Sequence, residues 1–103
     1  MRVLMDANAL MMPVECNVRV FDELSRLVSN PELLVPQAVL RELDSLAGGN
    51  GKEATAASVG RDLAERCRVI EHDEPHADDA CVELAQTCEF VCTNDRPLRE
   101  RIL

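Results

Sequence analysis

Aromatic side chains are nearly absent from this sequence, which has two Phe, no Trp and no Tyr. Any core must be filled by Val, Leu, Ile, Ala, Met and Cys, and the scarcity argues against the extended base-stacking platforms of single-strand binders. Lysine is as scarce: ten of the eleven basic residues are Arg, Lys52 is the exception, and with nineteen acids the formal net charge is −8. Phosphate contacts dominate nucleic-acid affinity, so the usual electrostatic footprint for such a partner is missing. Two considerations weaken that exclusion. Bound divalent cations invert the charge logic at a phosphate site. An acidic, lysine-poor surface also suits a halophilic protein in multimolar salt, where the screening length is about 3 Å and global charge says little about partners; an ordinary acidic cytosolic protein is the other reading. No Cys-x-x-Cys pair occurs, and the five cysteines sit in apolar patterns, so they read as reduced core thiols. No run approaches the ~20 apolar residues of a membrane span. The start of the chain goes straight into an apolar strand rather than a leader. The expectation is a cytoplasmic protein with no membrane partner.

What is present is 47% hydrophobic residues in 103 positions, enough for one packed domain over 1–103 and too few for two. The chain is organised around VLMDAN, Val3–Asn8, a short apolar run ending in Asp6. Arg2–Asp6 reads as the first strand and Met11–Cys16 as a loop holding Pro13. Asn17 is placed as the N-cap of a first helix through Val28. Leu33–Val35 is a second strand, closed by Pro36 and followed by a helix over 37–47 with Val39, Leu40, Leu43 and Leu46 on one stripe. Gly48-Gly49-Asn50-Gly51 reads as a flexible loop. A third helix covers 53–66, where the small residues Ala54, Ala57, Gly60 and Ala64 permit close packing. A strand over 68–71, a helix over 77–87, a strand over 89–93 and a short terminal helix complete the chain. Strand and helix alternate, which predicts an α/β fold: three layers, α/β/α, around a four- or five-stranded parallel sheet.

In a parallel sheet the carboxyl ends of the strands share one edge, where ligands bind. Asp6 follows strand one, Asp95 follows strand four, Asp78 and Asp79 open a helix, and Glu42 lies early in the helix after strand two. Four acidic positions can meet there. Clustered carboxylates repel unless a cation sits between them. Oxygen-rich sets without His suit the hard ions Mg²⁺ and Mn²⁺, which work on phosphates. Each acid also has a structural reading: Asp78 as a first-turn acid, Asp95 as an N-cap ahead of Pro97, Glu42 as a solvated helix residue. Asp6 is hardest to explain that way, because it ends a buried strand.

The pieces MDAN (5–8), PQAVLRELDSL (36–46), ADDACVELA (77–85) and TNDRPLRERI (93–102) together resemble the PIN-domain family across essentially the whole chain. The resemblance is nearest to archaeal PIN proteins of the VapC-like and ribosomal-RNA-processing types. It implies a metal-dependent endoribonuclease acting on RNA. Asp6, Glu42, Asp78 and Asp95 would hold Mg²⁺ or Mn²⁺, and Asn8, Thr93 and Asn94 would orient the site. Asp79 can also be aligned to the third acid. Neighbours on a helix point about 100° apart, and the spacing to Cys81 favours Asp78. Arg41, Arg96 and Arg99 are candidates for phosphate contacts. An antitoxin-like protein partner and a homodimer are also implied; Met11, Met12 and Pro13 suit a partner surface and, equally, the core or a dimer contact, and toxin and RNA-processing roles stay open. Three other readings compete. A phosphoacceptor receiver domain needs a late lysine, which Thr93-Asn94-Asp95 lacks. A zinc site on His72 and His76 is opposed by Pro75, which makes that stretch a loop. A non-catalytic scaffold has no need of clustered acids.

Overall fold

The computed structural model describes residues 1–93 together with Leu98, Arg101 and Ile102. Val3, Leu4 and Met5 offer no polar face, and such a strand needs neighbours on both edges and cover on both faces. Strand β1 (Arg2–Met5) occupies that position, with Val3, Leu4 and Met5 fully buried. It pairs in parallel with β2 (Glu32–Pro36) on one side and β4 (Phe90–Cys92) on the other. Strand β3 (Arg68–Ile70) adds to β2, so the order is β3-β2-β1-β4 and every pairing is parallel. The fold is α/β, and the described residues form four strands.

Helices α1 (Ala7–Glu15), α2 (Val20–Leu27), α3 (Gln37–Ala47), α4 (Gly51–Leu63) and α5 (Ala77–Ala85) pack around this sheet. Helix α4 lies against α1 and α3, and α5 lies beside α3 and against β1 and β2. A 3-10 turn, Ala64–Arg66, ends the run expected as one helix over 53–66. Ala54, Ala57, Gly60 and Ala64 are buried, as their small size suggested. None of the helices among the described residues is long and apolar enough to cross a membrane.

The expected loop Met11–Cys16 is instead the second half of α1, with Pro13 inside it. The helix starts at once after β1 because Asp6 caps it, and it buries Ala7, Ala9, Leu10 and Met11. Burial of that face outweighs the one hydrogen bond a proline removes. Of the readings open for these methionines, the structure has Met11 in the core and Met12 packed against it. Asn17 is not an N-cap: it sits at φ 55 in the left-handed region that Asn tolerates. Helix α2 begins later, capped at Arg19 without a side-chain bond. The expected glycine loop is a three-residue link, 48–50, and Gly51 at φ 80 already opens α4. All five cysteines are free thiols, but only Cys81 is fully buried, and Cys16 is exposed rather than in the core.

Candidate active site

Asp6 is the one buried charged side chain among the described residues, 3% exposed. Two local facts make that position tolerable. As the N-cap of α1 it accepts the Ala9 N–H at Oδ1, 2.7 Å away. The Thr93 hydroxyl donates to Oδ2. Strand register explains the second contact. Met5 stands opposite Cys92 in the β1–β4 pair, so the next residue of each strand, Asp6 and Thr93, emerges side by side at the same sheet edge. The Asp6 N–H also reaches the Cys92 carbonyl at 3.4 Å. A buried carboxylate fixed by an amide and a hydroxyl is a rigid donor of oxygen atoms.

Glu42 and Asp78 come to Asp6 from two helices. Both are exposed, Glu42 midway along α3 and Asp78 in the first turn of α5. All three acids act electrostatically on one thiol. Burial, then Asp6, Asp78 and Glu42, push the Cys81 pKa up from 9.0 to about 12. Burial and then Asp6 raise Cys92 to about 11 in the same way. Glu42 and Asp78 line one cleft of about 410 Å³, together with Arg41, Pro75 and His76. Asp79 faces elsewhere and accepts from Arg101 Nη2 at 2.7 Å. Asn8 lies in the first turn of α1, half-buried. Asn94, Asp95, Arg96 and Arg99 lie outside the described residues.

The structure thus brings together Asp6, Glu42, Asp78 and Thr93, with Arg41 on the rim, and parts Asp79 from them. Among the described residues no three His, Cys, Asp or Glu side chains are arranged to hold a metal as they stand. By chemistry the donor set still suits a hard cation, because it is carboxylate and hydroxyl oxygen beside a thiol kept protonated. His72 and His76 part company: His72 accepts the Glu74 N–H at Nδ1, 2.9 Å away, and lines a different cleft with Glu83. Sequence reasoning missed the position of His76 in the acidic cleft. Its signal was adjacency to Ala77-Asp78, which only the path of the chain into α5 turns into proximity.

Residues 3–103 match the family of PIN-like domains. The chain belongs to that family. The PIN domain endonuclease Utp24 is a similar solved structure, with a TM-score of 0.73, 24% identity, and coverage of 98% of this chain and 76% of that one. VapBC2 from Rickettsia felis, solved bound to a DNA fragment from its promoter, is another, with a TM-score of 0.55 and 17% identity. That match covers 99% of this chain and 80% of the other. No match is found among curated proteins. Both structures share the fold of this PIN-like chain, whose acids lie at the sheet edge where open α/β folds bind ligands.

Proposed function

We propose that this PIN-like protein is a metal-dependent endoribonuclease that hydrolyses RNA phosphodiester bonds. One observation carries the reading: buried Asp6, at the carboxyl edge of the sheet, acts together with Asp78 and Glu42 on the same thiol, Cys81. The similar fold of a PIN domain endonuclease supports it. Asp6, Glu42, Asp78 and, by resemblance, Asp95 would hold Mg²⁺ or Mn²⁺. That ion, when bound, supplies charge neutralisation at the scissile phosphate and acidifies water. The chain's own residues do the rest. Ala9 N–H and the Thr93 hydroxyl hold Asp6 in one orientation. Asn8 and Asn94 orient the site. Arg41 on the cleft rim, with Arg96 and Arg99, takes RNA phosphates and aligns the strand so that water attacks phosphorus in line with the departing 3′ oxygen. A protein partner and a homodimer belong to the same proposal. The exposed apolar Leu27 and Phe90, in a groove between α2 and β4, support a partner-binding face.

The test is cleavage of a structured RNA with Mn²⁺, Mg²⁺ or EDTA, at low and at multimolar KCl. Wild type should cut only with metal. Asp6→Asn should lose at least about a hundredfold while remaining folded, because Asn is as good an N-cap as Asp. Asp78→Asn should match it. Asp79→Asn should stay within a few-fold of wild type, because it breaks only an exposed ion pair. Cleavage undiminished in Asp6→Asn overturns the assignment. Absence of cleavage in every condition, with the protein folded, favours a non-catalytic scaffold.

A further inference from the structure

The cleft that holds Glu42 and Asp78 is lined by groups of unlike chemistry from α3 and from the entry into α5. Glu42 and Asp78 contribute carboxylates, while Arg41, Pro75 and His76 contribute a planar guanidinium, an apolar ring and an imidazole. Its volume, about 410 Å³, lies in the range of pockets that enclose small organic ligands. The chain has only two Phe and no larger aromatic, and neither Phe lines this cleft. Phe21 is covered by the Arg66 guanidinium, 4.5 Å from its ring centre, and Phe90 lies in the groove beside Leu24 and Leu27. His76 is thus the one aromatic ring next to the acidic site among the described residues. The fold has little use for that ring. His76 is exposed, makes no side-chain cap to α5, and contributes only its carbonyl, which accepts the Ala80 N–H at 3.0 Å.

We propose that His76, lining this cleft, stacks an unpaired nucleobase flanking the scissile bond. A base presents a neutral face to the imidazole and leaves Glu42 and Asp78 to the metal and Arg41 to the adjoining phosphate. Unpaired RNA bases stack on His rings in this way. The inference rests on the nuclease reading and adds a positioning contact to it: the base beside the cut is held on His76.

The full chain tests it with a short single-stranded RNA and Mn²⁺. His76→Ala should raise KM about tenfold, the order of one lost stacked base, with kcat within about threefold. His76→Phe should restore KM, which a merely structural role would not. An abasic nucleotide at the stacked position should erase the difference between wild type and His76→Ala. An unchanged KM in His76→Ala overturns the subsite, as does a difference that survives abasic substitution at every flanking position. Anisotropy of the same labelled RNA separates this failure from that of the parent reading. Without cleavage, tenfold weaker binding by His76→Ala keeps the subsite and discards the nuclease. No RNA binding by wild type overturns both.

Discussion

Around Cys81, three acids from three elements bear on a thiol that is 1% exposed. The folded chain holds that proton to about pH 12, whereas an unfolded cysteine releases it near 9.0. Stability from this source is complete below pH 9 and is lost as pH rises toward 12, at about 1.4 kcal/mol per thiol for each pH unit. Cys67 and Cys92, raised to about 11, act in the same window. Urea midpoints should therefore fall between pH 9 and 10.5, and Cys81→Ala should flatten that slope. Maleimide at pH 7.5 should label exposed Cys16 in the native protein and reach Cys81 only on unfolding. Asp6 was legible in the sequence because an acid at the end of an apolar run must have a use. Glu42 was not separable from other exposed acids by pattern alone; only the position of α3 beside α5 distinguishes it.

Between elements, α4 meets α1 at a close approach. A Cβ on Gly60 would stand 3.0 Å from the Leu10 carbonyl oxygen and 3.2 Å from its carbon. Backbone cannot yield there without separating the helices. Gly60→Ala should cost ~1–3 kcal/mol and lower Tm by ~5 °C or more. Gly48→Ala is the control. Its Cβ would meet only ordinary contacts at 3.5 and 3.9 Å on an αR backbone, so stability should stay within about 0.5 kcal/mol. The small-residue stripe was readable because close packing demands small side chains. Helix α1 was not, because Pro13 signals a break locally while the burial that overrides it is tertiary.

Over the whole molecule, a net charge of −8 sets the terms for both stability and RNA. Self-repulsion destabilises a compact acidic chain, and salt screens it. Tm should rise by several degrees between 10 mM and 1 M KCl, as differential scanning calorimetry would read. A Tm that falls with KCl would show that attractive surface pairs such as Arg68–Glu32, at 3.2 Å, outweigh the repulsion.

The alternation of apolar strands and amphipathic helices determined the α/β class, and the run into Asp6 determined where a charge would be trapped. Those features follow from local pattern, because burial of a period is a property of the segment itself. Tertiary structure alone decided the rest. Parallel register put Thr93 beside Asp6. The packing of α5 gave Asp79 its Arg101 partner and set Asp78 in one cleft with Glu42, the choice that the helical step to Cys81 already favoured in the sequence. The entry into α5 laid His76 against the acids. These are relations between distant residues, and no single segment contains them.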